Sequence, residues 1–439
     1  MSSEMDNKVK FRALLVEPVR NGIYKQKEFH GRGCKIINMG ELFAFPRLHD
    51  VPMKRVELTE KEQSKSLVQQ GDLLFARRSL VAEGAGRCSI VSEVNEPTTF
   101  ESSIIRARPN PALASSDYLY YFFSSPLGRE RMATILRQMA VSGITGSDLM
   151  ELEIECPELE HQKTIAMFLS ALDDRITLLR ETNATLEAIA QALFKSWFVD
   201  FDPVRAKAEG LEPEGIDAAT AALFPDSFVE SELGLVPRGW MVRSLDSIAN
   251  YLNGLAMQKF PPTDDGWLPV IKIAQLRKGN TVGADRAGRN IKTEYIIQNG
   301  DVLFSWSGSL EVVIWCGGEG ALNQHLFKVT SKDFPKWFYY LWTRQHLTDF
   351  QQTAASKATT MGHIQRKHLT EAKVVVPPAE MLRSAGVLIE PLLERWLVNA
   401  EKAQTLTQLR DTLLPRLISG QLRLPETEAS IENILSEAI

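Results

Sequence analysis

Between residues 158 and 198 apolar positions recur at alternating spacings of four and three. Ile165, Leu169, Leu172, Ile176, Leu179, Asn183, Leu186, Ala190, Leu193 and Trp197 carry the stripe. That pattern is the seam of a coiled coil, narrower than the apolar face of an ordinary surface helix. At about 1.5 Å per residue, such a helix is a rod of roughly 50–60 Å. Adding 220 to each position gives Ala385, Ile389, Leu392, Trp396, Asn399, Ala403, Leu406, Arg410, Leu413 and Leu417, a weaker stripe in the same phase. Pro391 lies inside it, which predicts a helix that kinks or begins there, and Gly420 is its predicted stop.

The second stripe is part of a longer duplication. Gly71-Asp72-Leu73-Leu74-Phe75 recurs as Gly300-Asp301-Val302-Leu303-Phe304, and Tyr118–Phe122 recurs as Trp337–Leu341. From Ile144/Ile364 onward the copies align without a gap, through Leu149/Leu369, Glu151/Glu371, Pro157/Pro377 and Leu193/Leu413. A repeat this long sets the architecture before any local motif is read. Two helices on one chain, separated by a globular unit, pair most simply with each other. An antiparallel symmetric register would set Asn183 opposite Asn399, a buried polar pair of the kind that fixes register.

Within each copy, short β-type runs such as Cys88–Val91 and Val270–Ile273 sit among turns, and the aromatic runs at 118–122 and 337–341 read as short amphipathic helices. The expected fold class is α+β: two globular domains with twisted β-sheets, joined by two long antiparallel helices forming a coiled coil. The expected boundaries are a first domain at 1–150, its helix at 151–200 and a linker at 201–239. A second domain at 240–375, its helix at 376–425 and a polar tail at 426–439 complete the chain. The Pro-, Gly- and acid-rich linker is expected to hold short helical pieces around Ile216–Leu223.

A length of 439 residues is ample for two cores. No basic region followed by an apolar run opens the chain, and no stretch approaches the ~20 apolar residues of a membrane span. The four cysteines are scattered without a CxxC pair, which predicts reduced thiols in a cytoplasmic protein. The net charge of -5 is unevenly distributed: +4 over 1–150, -11 over 151–240, +5 over 241–375 and -3 over 376–439. Two mildly basic units are followed by acidic helices, so the overall sign does not exclude nucleic acid.

The chemistry missing from the sequence narrows the field. No GxxxxGK[ST] loop is present, and Glu83-Gly84-Ala85-Gly86-Arg87 lacks the third glycine of a dinucleotide cradle, so it reads as a turn. No glycine-rich cofactor loop accompanies an adenine-methyltransferase motif. His363 and His368 lie five apart in a basic segment without the spacing of metal ligands. The expectation is a chain that performs no catalysis and holds no metal or cofactor of its own.

Residues kept in both copies, such as Gly71/Gly300 and Asp72/Asp301, read as scaffold, whereas polar residues that differ are free to read different DNA sequences. In the first unit the candidates are Tyr24, Lys25, Gln26, Lys27, Arg32, Arg77, Arg78 and Arg87. In the second they are Gln258, Lys259, Arg277, Lys278, Asn323, Gln324 and His325, then Lys357, Thr359, Thr360, His363, Gln365, Arg366 and Lys367. Arg suits guanine edges and Asn or Gln suits adenine, while Lys more often meets phosphate. The segments Gly22–Lys25 and Met361–Gln365 are favoured.

At this point the chain resembles the specificity subunit of type I restriction–modification systems. The likeness is carried by Pro157, His161-Gln162, Ile165, Leu172-Asp173, Ile176, Asn183, Leu186-Glu187 and Phe194. It continues through Trp197-Phe198, Phe201-Asp202-Pro203, Gly234, Pro237 and Gly239-Trp240, then Ala321–Phe327, and Leu413-Leu414-Pro415, Leu417 and Gly420. His161 departs from a more usual Glu, and Leu382 stands where a match to Gln162 would be Gln. The resemblance implies two target-recognition domains, each reading half of a split double-stranded DNA site, held apart by an antiparallel helix pair. It implies two methylation subunits bringing S-adenosylmethionine for adenine methylation, and restriction/motor subunits using ATP and Mg for translocation and cleavage. On that reading the helices act as a ruler, and removing four residues from one would shorten it by about 6 Å. Without the resemblance, two other readings stay open: a bipartite nucleic-acid-binding adaptor outside restriction, and a diverged nuclease or methyltransferase.

Overall fold

The computed structural model describes residues 8–79, 84–137, 142–264, 266–356 and 362–424. The chain divides into two compact units, one formed by residues 1–176 with 405–439, the other by 177–404. Two 40-residue helices, Leu159–Phe198 and Ala379–Ile418, run through both (the proximal and distal helices below). No helix among the described residues is long and apolar enough to cross a membrane.

In the first unit a five-stranded sheet runs in the order Arg20–Asn21, Ile104–Ala107, Leu73–Ala76, Cys88–Val91, Arg47–Leu48. A three-stranded sheet orders Lys54–Val56, His30–Ile37 and Thr98–Phe100. The second unit repeats the plan. Asn250–Asn253, Leu326–Thr330, Val302–Ser305 and Val312–Ile314 form one sheet, and Arg286–Gly288, Trp267–Ile271, Gly320–Leu322 and Ile296–Ile297 the other. The parallel pairing of Ile37 with Phe100 recurs as that of Ile271 with Leu322.

The shared Gly-Asp pair is scaffold for a specific reason. Gly71 and Gly300 have φ of 86° and 85°, which side chains disfavour, at the turn entering the central strand. Asp72 Oδ2 accepts the N–H of Gln69 at 2.8 Å, and Asp301 Oδ2 that of Gln298 at 2.8 Å. Each carboxylate then meets a cation on the strand paired with its own. Asp72, buried, holds Arg108 through two bonds of 2.7 and 2.8 Å, and Asp301 lies 2.7 Å from Lys328 Nζ.

The aromatic runs are helices, Ser116–Ser124 and Lys336–Gln345, with all of Tyr118–Phe123 and Trp337–Thr343 buried. In the first unit Phe11, Phe75 and Phe123 meet edge to face at 5.0–6.0 Å. In the second, Phe194 and Phe198 of the proximal helix pack with Phe338, Trp337 and Trp342.

The seam residues are largely buried as the stripe predicts: Ile165, Leu169, Leu172, Ile176, Leu179, Asn183, Ala190 and Trp197 on one helix, Ala385, Ile389, Asn399, Ala403, Leu406 and Leu417 on the other. The helices are antiparallel. Asn183 donates to the carbonyl of Trp396 at 2.8 Å, while Phe198 packs on Trp337, whose indole nitrogen lies against Gly386. The register differs in detail from a direct asparagine pair. Asn183 bonds a backbone carbonyl one turn before Asn399, and the Oδ1 atoms of both asparagines are buried without a hydrogen-bond partner among the described residues. The predicted seam position Arg410 reaches Asp173 Oδ1 at 2.6 Å.

Three expectations change. The distal helix does not begin at Pro391: it starts at Ala379 and continues through the proline. Pro391 has no N–H to offer the carbonyl four residues earlier, on Val387, and that residue is 73% exposed, so water can replace the missing bond. The 201–239 segment is more than a linker. It forms the helices Asp202–Ala208 and Ala218–Ala222 and a hairpin pairing Phe228–Ser231 with Gly234–Pro237. Its Phe201, Val204, Phe224 and Val236 are buried with Trp240 in the second unit's core. Lastly, the β-type run at Val270–Ile273 ends as a strand at Ile271, and a helix, Ile273–Lys278, follows. Gly420 closes the distal helix as expected, with φ of 71° and its N–H on the carbonyl of Leu417. The tail at 426–439 lies outside the described residues.

Candidate nucleic-acid interface

One arrangement of backbone occurs in both units and gathers most of the polar candidates. Gly22 runs so close to Phe100-Glu101 that an added Cβ would lie 2.2 Å from the Glu101 carbonyl oxygen; Gly254 meets Asn323 at the same 2.2 Å. Only glycine tolerates that approach. Each glycine opens a matching segment, Gly22-Ile23-Tyr24-Lys25-Gln26-Lys27 and Gly254-Leu255-Ala256-Met257-Gln258-Lys259. Ile23 bridges Glu101 and Leu255 bridges Asn323, both in parallel.

The next wall follows the central strand. Arg77 donates its N–H to the Ser103 carbonyl and accepts that of Ile144; Trp306 does the same with His325 and Ile364. Arg78 is paired with Gly143, and Ser307 with His363. Thus Arg77-Arg78 correspond to Trp306-Ser307, Glu101-Ser102-Ser103 to Asn323-Gln324-His325, and Gly143 to His363.

In the second unit the glycine-led segment, through Met257 and Gln258, and the turn 323–325 line an open cavity of about 700 Å³, whose polar lining also includes Lys272 and Arg286. Asn323 is buried, and its Oδ1 accepts the N–H of His325 at 3.2 Å. The Trp306 indole N–H donates to Asn253 Oδ1 at 2.9 Å and to the Gln324 carbonyl at 3.2 Å. Gln324 Nε2 lies 3.3 Å from His325 Nε2, and Ser307 Oγ lies 2.9 Å from His325 Nδ1. At the rim Arg286 stacks 4.3 Å over the half-exposed Trp267, and Lys272 pairs with Asp285.

The structure sorts the remaining candidates. Lys25 is engaged internally: Nζ is 2.8 Å from Glu62 and 4.8 Å above the Phe29 ring. That ammonium, helped by Thr59, lowers the Glu62 carboxyl to about 2. Tyr24 is 80% exposed, with Gln26 and Lys27 exposed beside it. Arg32 pairs with Glu57 at 2.7 Å. Arg78 is exposed and has no ion pair among the described residues, whereas Arg77 leans 3.4 Å onto the Ser102 carbonyl and Arg87 lies 5.3 Å over Phe43. Gln258 and Lys259 are exposed, as is Lys278; Arg277 lies 4.0 Å from Glu311. His363 stands edge-on to Trp306 at 6.4 Å. Gln365 caps the helix Arg366–Glu371, Arg366 is drawn inward to the Tyr251 carbonyl at 2.9 Å, and Lys367 is exposed. Lys357, Thr359 and Thr360, with Met361 of the favoured segment, lie outside the described residues.

Trp306, Ser307, Arg286 and Trp267 were not among the sequence candidates. Trp306-Ser307 could have been found by carrying Arg77-Arg78 across the repeat, at 229 residues instead of 220.

A platform built twice from one backbone plan, alike at Gln26/Gln258 and Lys27/Lys259 and unlike on its central strand and following turn, defines a protein with two recognition sites. Residues 19–188 and 237–409 match the family described as type I restriction modification DNA specificity domain. The match covers more than half of the chain, and the chain belongs to that family. It is similar to the HindI specificity subunit of Haemophilus influenzae, 26% identical over 410 residues that cover 82% of this chain and 88% of that one. It is similar also to the MjaIX specificity subunit of Methanocaldococcus jannaschii, 26% identical over 413 residues, 92% and 90% of the two chains. Among solved structures, the S subunit of a type I restriction–modification system from M. genitalium shares the fold. It matches with a TM-score of 0.58 at 15% identity, covering 95% of this chain and 97% of that one.

Proposed function

We propose that this chain is the DNA sequence-specificity subunit of a type I restriction–modification complex, binding a bipartite double-stranded site and performing no catalysis itself. The observation that carries the reading is the doubled platform. Its scaffold is retained at Gly22/Gly254 and Asp72/Asp301, together with Gln26/Gln258 and Lys27/Lys259, while Arg77-Arg78 give way to Trp306-Ser307 and Glu101-Ser102-Ser103 to Asn323-Gln324-His325. Shared scaffold with divergent polar surface is what two readers of unlike half-sites require.

On this reading two methylation subunits supply S-adenosylmethionine for adenine methylation, and restriction/motor subunits supply ATP- and Mg-dependent cleavage. The paired helices are the ruler between half-sites. Deleting four residues from one of them is expected to shorten the unspecified DNA spacer by about one or two base pairs, at 3.4 Å each. Single-molecule methylome sequencing of the host, with the gene present and deleted, tests the assignment. A bipartite adenine-methylation motif is expected to vanish on deletion; a motif that persists overturns it.

A further inference from the structure

The equivalences between the two platforms give them different hydrogen-bonding chemistry. In the second unit the turn after the strand Gly320–Leu322 carries Asn323, Gln324 and His325, and Gln258 faces them across the cavity. Three carboxamides line the cavity, its guanidinium, Arg286, is stacked on Trp267 at the rim, and the position of Arg78 is held by Ser307, buried against His325. In the first unit the same turn reads Glu101-Ser102-Ser103. Glu101 is engaged in capping the helix Met39–Ala44 through the Met39 N–H at 2.6 Å. Two short hydroxyls remain; Gln26 recurs as Gln258 and is common to both platforms, so the first is set apart by the exposed Arg78, at the position Ser307 holds against His325 in the second.

A carboxamide presents one donor and one acceptor side by side, matching N7 and the N6 amino group of adenine. A guanidinium presents two parallel donors, matching N7 and O6 of guanine. We propose that Arg78 reads a guanine in the half-site of the first unit, and that Gln324 with Gln258 reads an adenine in the half-site of the second. This rests on the DNA-specificity reading above and goes beyond it by assigning a base class to each unit. The His325 ring restrains the Gln324 amide through the 3.3 Å contact, and Trp306 anchors the Gln324 backbone carbonyl. The amide is therefore held ready for the base before DNA arrives.

The test is methylome sequencing of cells carrying the chain with its native partner subunits, as wild type, Arg78→Ala and Gln324→Ala. Wild type is expected to give a bipartite motif. Arg78→Ala is expected to relax one G·C position in one half by about tenfold or more, and Gln324→Ala one A·T position in the other half. If wild type gives no bipartite motif, the DNA-specificity reading itself fails. If the motif is present, the proposal is overturned by relaxation at an A·T pair in Arg78→Ala, by both variants relaxing the same half, or by an unchanged motif. Arg78→Lys, which keeps the charge and loses the fork, and Gln258→Ala at an exposed position serve where an alanine variant does not fold. Loss of all methylation in variants whose melting temperature is intact would assign these residues to phosphate anchoring, and would also overturn the base assignment.

Discussion

The side-chain oxygen of Gln162 accepts the backbone N–H of Ser115 at 2.9 Å, while its nitrogen donates to the Pro157 carbonyl at 2.7 Å. Gln162 is 1% exposed. In the second unit Leu382 stands at the position of Gln162, and the residue that precedes the helix Lys336–Gln345, as Ser115 precedes Ser116–Ser124, is Pro335. Proline has no N–H, so the amide that would cap it is replaced by an aliphatic side chain packed on the core. The Gln-to-Leu departure is thus matched by its partner and leaves no orphaned donor.

Gln162→Leu is expected to destabilise the first unit by about 1–3 kcal/mol, because a buried N–H loses its acceptor. All eight tryptophans lie between residues 177 and 404, so indole fluorescence follows the second unit alone. The variant should shift the denaturant midpoint seen by far-ultraviolet circular dichroism and leave the fluorescence transition in place.

The two shared aspartates should differ in weight. Asp72 is 1% exposed and holds Arg108 by two bonds, with Arg106, itself 3% exposed, at 3.9 Å. Asp72→Ala removes both bonds to Arg108 and leaves Glu17, 2.6 Å from Arg106 and 3.6 Å from Arg108, as the carboxylate that still pairs with them, at about 3 kcal/mol. Asp301 is 22% exposed and meets one lysine, so Asp301→Ala should cost about 2 kcal/mol. Equal losses in hydrogen-exchange stability would contradict this account.

Neither Oδ1 of the seam asparagines accepts a hydrogen bond among the described residues, which makes their burial a cost. The double variant Asn183→Leu with Asn399→Leu is expected to melt at or above the wild-type temperature. What it should lose is a fixed register, since polar seam residues select one alignment over others. Disulfide trapping of cysteine pairs placed along the helices should then capture more than one register.

Burial holds His346 below its ordinary value of 6.5, although the Lys373 carbonyl 2.9 Å away opposes the shift. The unfolded chain therefore takes up the proton first. Stability from neutral His346 is complete above about pH 6.5 and is lost as pH falls towards the depressed native value. Denaturation followed by tryptophan fluorescence should show this loss, with Trp342 stacked 5.9 Å away as reporter, and His346→Gln should remove it. Glu62 behaves similarly at lower pH. Its stabilisation is complete above about 4.5, falls away towards 2, and should shrink in Lys25→Ala, the Thr59 hydrogen bonds keeping their share.

Long-period features were the most legible in sequence: the two stripes, the Gly-Asp turns and the aromatic helices all recur at offsets of 219 to 229 residues. The recognition platform was only half legible. Its Gly22–Lys27 and Gly254–Lys259 segments sit 232 residues apart, and insertions between strands shifted them out of the 220-residue frame. Their equivalence rests on backbone bridges to Glu101 and Asn323, which leave little mark on side-chain pattern. Charge gave the least guidance. Lys25, Arg32 and Arg366 read in sequence like surface cations, yet each is engaged with Glu62, Glu57 or the Tyr251 carbonyl. The 201–239 segment misled for a related reason: its Pro and Gly mark turns, while Phe201, Phe224 and Val236 were too sparse to show periodicity.

The first unit is built from both ends of the chain, and the second is an uninterrupted stretch lying between them. On the ribosome the usual order of folding is therefore inverted. Residues 1–176 emerge first but must wait for Arg410 to reach Asp173, and for Leu406 and Leu417 to fill the seam, so the unit begun earliest is finished last. A chain truncated after residue 404 would hold all of the second unit and an unfinished first one.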